Sequence, residues 1–213
     1  ALVEGGEWHI IARKIILPTY EVFDERRYFR SEEKVSVLTK KIKNKTWKLG
    51  ITICEDLWVN ENIEGRGIHK KNPIFELKNK KIDILLNLSA SPYTFKKFEL
   101  RSKITSFAAK YLQVPLIYIN QVGANDNLIF DGNSFILDKN GRKIRQLKSF
   151  SEDISSWEIN QSTNVKNEFQ YSEIASVFDA LVLGVKDYAK KCGFKTALIG
   201  LSGGIDSALV SAI

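Results

Sequence analysis

The sequence contains no methionine and only two cysteines, two histidines and four prolines. Cys54 and Cys192 provide neither a disulfide framework nor a C-x-x-C metal pair, and this low cysteine content fits a reducing cytoplasm. His9 and His69 are too few for a histidine-rich metal site. No apolar run reaches the roughly 18 residues that a membrane-spanning helix needs, so no membrane association is expected.

The beginning of the sequence also lacks the features of a natural start. Residues 1–6 contain no basic segment followed by an apolar one, so they are not a signal peptide. A natural chain of 213 residues normally begins with methionine and carries several more. We therefore expect the sequence to be an internal part of a longer protein.

The net charge is +7, and part of it lies in two lysine-rich stretches, 40–45 and 78–81. A basic surface can attract nucleic acid or a phosphorylated substrate. No aromatic residues are interleaved with these lysines, as a base-stacking platform would need. We interpret the stretches as solvated surface, and no nucleic-acid partner is expected.

Short apolar runs alternate with longer amphipathic segments, which is typical of an α/β fold. A helix is predicted over 95–112 from its apolar periodicity. Residues 82–88 form a continuous apolar run, as expected of a strand buried on both faces. The other predicted strands are 8–15, 35–38, 47–54, 114–120 and, around a hairpin turn at 138–141, 134–137 and 142–147.

The composition changes after the last of these strands. Residues 155–170 are polar and rich in Asn, Gln and Ser, which indicates a linker. A helix over 172–192 follows, with Ser172 as N-cap and Gly193 at its end. Next come a predicted buried strand at 196–201, a tight turn and a helix beginning at residue 205. The expected domains are 1–157 and 172–213, joined by a linker at 158–171.

Cys54 closes a strongly β-branched run and is followed at once by Glu55. A nucleophile at such a position lies in a strand-to-helix elbow, where it is rigid and accessible. The thiolate is the reactive form, so a nearby cation is needed, and Lys14 is a candidate. Buried unreactive cysteine is common, however, and the spacing alone does not exclude that Cys54 is one. A Cys–His pair with His9 or His69 is favoured less.

A second motif begins where the apolar run 198–201 meets Ser202-Gly203-Gly204-Ile205-Asp206-Ser207. Glycines let the backbone approach an anion, and the N–H groups of the turn and of the following helix then point at phosphate oxygens. Ser202 and Ser207 add hydroxyl groups. Asp206 would repel phosphate, so a role linked to a metal ion is more plausible. The absence of a following G-K-S/T distinguishes this motif from a Walker loop.

Taken in order, these segments resemble the glutamine-dependent NAD synthetases. Residues 14–29 resemble the catalytic-lysine segment of the amidase domain, and 50–58 the nucleophile segment of the wider nitrilase superfamily. Residues 198–207 resemble the PP-loop of ATP pyrophosphatases. Further matches are 87–93, 120–123, 126–132 and 134–135. The resemblance implies an α/β protein in which a nitrilase-like αββα sandwich, incomplete at its N-terminus, is joined to the start of a Rossmann-like PP-loop domain.

The resemblance also implies roles for individual residues. Cys54 would be the nucleophile, and Lys14 would stabilise its thiolate and the oxyanion. The family's glutamate base is expected before Ala1, and the deamido-NAD contacts after Ile213. The positions that contact glutamine are Tyr20, Glu55, Ser91 and Lys97; those that bind ATP are Ser202, Gly203, Gly204, Ile205, Asp206 and Ser207, with Asp206 also expected to hold Mg²⁺. Residues expected in the core or in a pocket wall are Phe29, Trp58 and Phe130.

The implied function is NAD synthesis. Ammonia released from glutamine at Cys54 would amidate deamido-NAD that ATP has adenylated, in a cytoplasmic homo-oligomer. The chain by itself is expected to be inactive in both half-reactions. Two alternatives remain: a nitrilase-type amidase fused to a different PP-loop amidotransferase, and an amidase fold that has become an inactive scaffold.

Overall fold

The computed structural model describes residues 1–20, 22–58, 71–159 and 172–213. The strands of these ranges are β1 (Leu2–Glu4), β2 (Glu7–His9), β3 (Ser36–Ile42), β4 (Lys45–Ile53), β5 (Ile84–Ser89), β6 (Leu116–Asn120), β7 (Val122–Asn125), β8 (Leu128–Asp131), β9 (Phe135–Leu137) and β10 (Lys143–Gln146). The helices are α1 (Glu25–Tyr28), α2 (Pro73–Lys78), α3 (Lys97–Leu112), α4 (Glu173–Cys192) and α5 (Ile205–Ala212), and a 3₁₀ turn spans Cys54–Leu57.

Six of these strands form one mixed sheet in the order β10-β9-β6-β5-β4-β3. The central strands β4, β5 and β6 are parallel, whereas β3, β9 and β10 pair antiparallel with their neighbours. The remaining strands form two separate hairpins, β1-β2 and β7-β8. Because parallel strands end at the same edge of a sheet, the residues that follow β4, β5 and β6 are brought together there.

Helices α2 and α3 cover one face of the sheet. Side chains alternate between the faces of a strand, so residues of opposite parity have different surroundings. In β5, Leu85 is fully buried against the helices, whereas Leu88 on the other face is 47% exposed. In β6, Leu116 and Ile119 differ in the same way. The apolar core therefore lies between the sheet and the two helices.

Most of the predicted elements are confirmed. The strands predicted at 35–38, 47–54, 82–88, 114–120, 134–137 and 142–147 are β3, β4, β5, β6, β9 and β10, and the helix predicted over 95–112 is α3. The helix predicted over 172–192 is α4. The Ser172 hydroxyl accepts the Ala175 N–H at its start, and Gly193 adopts the left-handed conformation at its end.

The strand predicted over 8–15 is wrong beyond His9, where β2 ends. In the β1-β2 hairpin, His9 pairs with Leu2, the first residue of β1, so β1 has no residue that pairs beyond His9. The following residues instead run towards the sheet, and the N–H groups of Ile15 and Ile16 donate to the Asp56 carboxylate. This departure from strand geometry brings Lys14 to the carboxyl edge of the sheet.

The buried strand predicted over 196–201 is also wrong. These residues are exposed and belong to no strand, although their largely apolar character is typical of a buried one. A strand needs a neighbour for its backbone hydrogen bonds, and the described ranges place none beside this segment. The linker expected at 158–171 lies outside the described residues except for 158 and 159. Where the chain is described, no helix has both the length and the apolar character needed to cross a membrane.

Leu85→Ala tests the position of the core. Truncating a fully buried leucine removes packing and leaves a cavity, so we expect the free energy of unfolding to fall by about 2–5 kcal/mol. Leu88→Ala on the same strand is the matched control and should cost about 1 kcal/mol or less, because Leu88 is half exposed. Urea unfolding measures both, and equal losses would contradict this assignment of the core face.

Candidate active site

Cys54 lies where β4 turns sharply into the 3₁₀ segment. Its φ angle of 45° is unusual for a residue other than glycine and turns its side chain away from the line of the strand. The Asp56 carboxylate accepts the Ile53 N–H at 3.0 Å, which closes the turn. The predicted elbow at the end of a central strand is therefore confirmed in its geometry.

Asp56 also attaches a second part of the chain to this turn. Its Oδ1 atom accepts the N–H groups of Ile15 at 3.0 Å and of Ile16 at 2.8 Å, and its side chain is buried. Burial raises the pKa of the Asp56 carboxyl, while the three N–H donors pull the pKa down. One carboxylate thus holds the segment of Lys14 against the turn of Cys54. Sequence reasoning missed this residue, whose only signal was its place two residues after the cysteine.

A cleft of about 1000 Å³ opens at this edge of the sheet. Trp58 and Phe29 contribute apolar wall, as predicted, while Phe130 is buried elsewhere. The predicted amidase-site residues all line this single cleft: Cys54, Lys14, Tyr20, Glu55, Ser91 and Lys97. Residues separated by up to 83 positions in the sequence are therefore brought together as the resemblance implied.

Lys14 is held by a carboxylate that sequence reasoning did not single out. Its ammonium lies 2.7 Å from both oxygens of Glu25, the first residue of α1, and both side chains are largely buried. A charge-assisted pair of this kind keeps the lysine in one orientation. Glu25 stands within the segment that resembles the catalytic-lysine region, but its separation of 11 residues from Lys14 gave no sign of the contact.

The surroundings of Cys54 disfavour its thiolate in the free protein. Burial raises the pKa of the thiol, and the negative charges of Glu55 and Glu25 raise it further. Lys14 opposes these effects, as does a hydrogen bond from the Ala90 backbone. The resulting pKa lies above the ordinary thiol value, so Cys54 is mainly protonated at neutral pH and its nucleophilicity depends on Lys14.

Opposite charges stand at different places in the cleft. Glu55 is buried, and its Oε2 atom accepts the Tyr20 hydroxyl at 2.7 Å. Lys97 begins α3, and its ammonium lies 5.4 Å from the centroid of the Trp58 ring. A cleft with a carboxylate, an ammonium and a nucleophile between apolar walls is suited to a small zwitterionic molecule that carries an electrophilic carbon.

The loop of Ser91, which follows β5, is held by buried hydrogen bonds. The Ser91 N–H donates to Asn120 Oδ1 at 2.9 Å, and its carbonyl accepts from Arg101 Nη2 at 2.7 Å. The Arg101 Nε atom also lies 3.3 Å from the Ser91 hydroxyl. Asn120 ends β6, so the last residue of one parallel strand positions the loop after its neighbour.

Arg101 is the centre of this network, since only 1% of its surface is exposed. Its Nη1 atom donates to both carboxylate oxygens of Asp131, at 2.7 and 2.8 Å. The carboxylate neutralises the buried guanidinium, while Nη2 donates to the Ser91 and Pro92 carbonyls, so both the charge and the donors are compensated. Sequence reasoning quoted the segments containing Asn120 and Asp131, yet it missed Arg101, which was hidden in the apolar periodicity of α3.

The phosphate motif forms the predicted turn and helix start, outside the cleft. Gly203 has a φ of 85°, which an L side chain rarely adopts, and α5 begins directly after Gly204. The hydroxyls of Ser202 and Ser207 lie 3.0 Å apart, and the Gly204 N–H donates to the Ser202 hydroxyl at 3.3 Å. All six residues from Ser202 to Ser207 therefore share one turn, which is largely open to solvent.

Asp206 stands in the first turn of α5. In the part of the chain that the structure describes, no group of three or more His, Cys, Asp or Glu residues could hold a metal ion. A single exposed carboxylate beside a phosphate-binding turn nevertheless suits Mg²⁺, which keeps several waters and commonly combines one or two carboxylates with substrate phosphates. Asp206 therefore fits a metal ion only in company with a bound nucleotide.

Asp56→Asn tests the attachment of Lys14 to the elbow. The amide keeps the shape but replaces one acceptor oxygen by a donor that faces an N–H group, so we expect a loss of about 1–3 kcal/mol in the free energy of unfolding. Asp83→Asn is the control, since Asp83 accepts a single backbone N–H near the surface and should cost about 1 kcal/mol or less. Urea unfolding of both variants in the full-length protein is the measurement, and an equal cost at both positions would count against the special role of Asp56.

Comparison with known proteins agrees with this geometry. A carbon-nitrogen hydrolase family model matches residues 1–165, and an NAD synthase family model matches residues 177–213. A glutamine-dependent NAD(+) synthetase of Synechocystis is 44% identical over an alignment covering 100% of this chain and 38% of the relative. The corresponding protein of Acinetobacter baylyi is 37% identical over 100% of this chain and 37% of its own length. The chain thus spans less than two-fifths of these relatives.

Solved structures give the same picture. A glutamine-dependent NAD+ synthetase from Acinetobacter baumannii, solved in complex with adenosine diphosphate, is 33% identical with a TM-score of 0.75, covering 94% of this chain and 36% of that one. An amidase of the nitrilase superfamily from Nesterenkonia, 17% identical with a TM-score of 0.50 over 64% of this chain and 45% of its own, shares the fold. Since the first family model matches most of the sequence, the chain belongs to the carbon-nitrogen hydrolase family and continues into a segment of the NAD synthase family.

Proposed function

We propose that this chain is part of a glutamine-dependent NAD synthetase, in which the cleft around Cys54 hydrolyses glutamine to supply ammonia. The observation that carries the proposal is the single cleft that contains Cys54, Lys14 and four candidate glutamine-binding residues. The matches to glutamine-dependent NAD(+) synthetases over the whole chain support it. An inactive scaffold would not need the buried pair of Lys14 and Glu25 beside a cysteine.

The cleft can bind glutamine by its charges. Glu55 and Tyr20, which are hydrogen-bonded to each other, are proposed to receive the α-ammonium group. Lys97 and the Ser91 hydroxyl are proposed to receive the α-carboxylate. The side-chain amide then extends towards Cys54 at the floor of the cleft. Because Glu55 is buried, a ligand ammonium would compensate its charge and would also remove one of the influences that raise the Cys54 pKa.

The reaction proposed at Cys54 is amide hydrolysis through a thioester. The sulfur attacks the amide carbon as the thiol proton leaves, and the ammonium of Lys14 stabilises first the thiolate and then the oxyanion. Protonation of the nitrogen breaks the carbon–nitrogen bond and releases ammonia. Water then hydrolyses the thioester to glutamate and restores the thiol. The general base that shuttles these protons is proposed to come from sequence preceding Ala1.

The turn at residues 202–207 is proposed to bind ATP. Helix α5 starts at an exposed turn, where the first N–H groups of the helix can receive phosphate oxygens. The hydroxyls of Ser202 and Ser207 are hydrogen-bonded within the turn and would exchange those bonds for the phosphate. Asp206 would hold Mg²⁺ beside them, and the ion would neutralise charge on the phosphates. Adenylation gives the deamido-NAD carboxylate a good leaving group, and ammonia from the cleft then displaces AMP.

The proposed organisation follows from these two sites. Residues 1–157 are assigned to the C-terminal part of the glutaminase domain, 158–171 to a linker and 172–213 to the start of the synthetase domain. The substrates are glutamine, deamido-NAD and ATP. A cytoplasmic homo-oligomer is the proposed working form, as the resemblance to the family implies.

The reactivity of Cys54 should depend on pH and on Lys14. Because burial raises the pKa of the thiol, alkylation of the Cys54 peptide by iodoacetamide should accelerate with pH and reach half its maximum at a higher pH than in an unfolded peptide that contains Cys54. Lys14→Met removes the strongest influence that lowers this pKa, so the midpoint should move higher still. Arg13→Met is the control, since Arg13 lines the same cleft but is not among the groups that shift the thiol. A midpoint that does not move in Lys14→Met would contradict the electrostatic role of Lys14.

Cys54→Ala in the full-length protein tests the function itself. Glutamine-dependent NAD formation should fall by about 10³-fold or more, because the nucleophile is lost. NAD formation from added ammonia should be retained, because the turn at 202–207 is unchanged. Cys192→Ala, at the exposed end of α4, is the control and should keep both activities. Retention of glutamine-dependent synthesis in Cys54→Ala would contradict the proposal. If Cys54→Ala loses glutamine hydrolysis but the wild-type protein forms no NAD, the chain would instead belong to another amidotransferase.

A further inference from the structure

Helix α4 packs on the β7-β8 hairpin of the proposed glutaminase domain, and the side chains that make its specific contacts there are small or polar. Ala180 is buried there, and a side chain added at Gly184 would meet Ile129 of β8 at 3.3 Å. Recurrence every three or four residues places the contacting residues on one stripe of the helix. The stripe consists of Ser176, Ala180, Gly184, Asp187 and Lys191.

The C-terminal half of α4 is attached to one residue of the hairpin. The Asp187 Oδ2 atom accepts the Ala124 N–H at 2.8 Å, and the Lys191 ammonium donates to the Ala124 carbonyl. A single helix face therefore satisfies both backbone groups of Ala124. This double contact ties the position of α4 to β7.

The N-terminal half is attached through Tyr93. The hydroxyls of Tyr93 and Ser176 lie 2.7 Å apart, across 83 residues of sequence. The Ser176 hydroxyl also donates to the Glu173 carbonyl at 2.6 Å, which uses its only proton. Tyr93 must therefore be the donor in the contact with Ser176, and the bond has a fixed direction from the glutaminase loop to the helix.

Tyr93 is two residues beyond Ser91 in the loop that borders the cleft. Its backbone N–H donates to the Ile129 carbonyl of β8 at 2.6 Å, and its ring packs edge-on against Phe150 at 5.3 Å. The loop, the hairpin and α4 thus meet at this one residue, through its backbone N–H and its hydroxyl. A displacement of Ser176 would act directly on the loop that carries Ser91.

We propose that Tyr93 is a positioning residue that couples α4 to the glutamine cleft. Helix α4 leads through Gly193 to the turn at 202–204, so nucleotide bound at that turn acts on the far end of the helix. The helix then sets the Ser91 loop through the hydrogen bond between Tyr93 and Ser176. This inference rests on the proposed function and adds a route by which the synthetase site controls glutamine hydrolysis.

The test compares glutamine hydrolysis by the full-length protein with and without deamido-NAD and ATP. Ser176→Ala and Tyr93→Phe each remove one side of the hydrogen bond, and Tyr93→Phe leaves the ring contact with Phe150 in place. Each should reduce the stimulation by about fivefold, the scale of one neutral hydrogen bond. The double variant should be no worse than either single one, because both remove the same contact. Tyr188→Phe, exposed on the same helix, is the matched control and should keep full stimulation.

Two further measurements separate coupling from general damage. The KM for glutamine of the stimulated variants should rise towards the unstimulated value, and NAD formation from ammonia should match the wild type. Full stimulation in Ser176→Ala, or additive losses in the double variant, would overturn the coupling while leaving the proposed function intact. A wild-type protein whose glutamine hydrolysis ignores deamido-NAD and ATP would overturn both.

Discussion

The Asp56 carboxylate makes the contact on which the geometry of the cleft depends. Its hydrogen bonds to Ile15, Ile16 and Ile53 join two segments that are far apart in sequence and have no strand pairing with each other. The hydrogen bond from Tyr20 to Glu55 and the burial of Ile16 and Leu17 support the same arrangement, but the Asp56 carboxylate alone binds both segments directly beside Lys14 and Cys54. The burial of the carboxylate makes the contact specific, since each N–H that was left without an acceptor there would carry a desolvation cost.

A second buried group has the same function on the opposite side of the cleft. Arg101 holds two carbonyls of the Ser91 loop while Asp131 neutralises its charge. Because breaking a buried ion pair leaves an uncompensated charge, the arrangement resists partial opening. The cysteine elbow and the Ser91 loop are thus each fixed by one buried charged side chain, so the candidate binding groups are arranged before a substrate arrives.

Much of the fold could be predicted because the relevant signals are local. Apolar runs identified β4, β5 and β6, and capping residues identified the ends of α4. The strand predicted at 196–201 failed because an apolar run shows only that a segment can pair, and not that a partner is present. For the site, the resemblance named the six residues that share the cleft. Glu25, Asp56 and Arg101 could not be predicted, because their importance lies in contacts across the fold and not in their spacing.

Helix α4 shows how directional polar contacts position a helix. Its apolar periodicity correctly predicted an amphipathic helix. In the structure, its small and polar stripe contacts the β7-β8 hairpin. The polar contacts are directional, so they specify one position of the helix on the hairpin better than apolar packing alone would. A shift of the helix would therefore be transmitted to the Ser91 loop through the hydrogen bond between Ser176 and Tyr93.

The central claim is that Cys54 is the nucleophile of a glutamine-binding cleft. The most direct measurement is peptide mass spectrometry of the full-length protein after treatment with a glutamine analogue whose side chain ends in an electrophile. The account predicts one covalent adduct, on the peptide that contains Cys54, and its formation should slow when glutamine is added. An adduct on Cys192 instead, or labelling of Cys54 that glutamine does not slow, would contradict it.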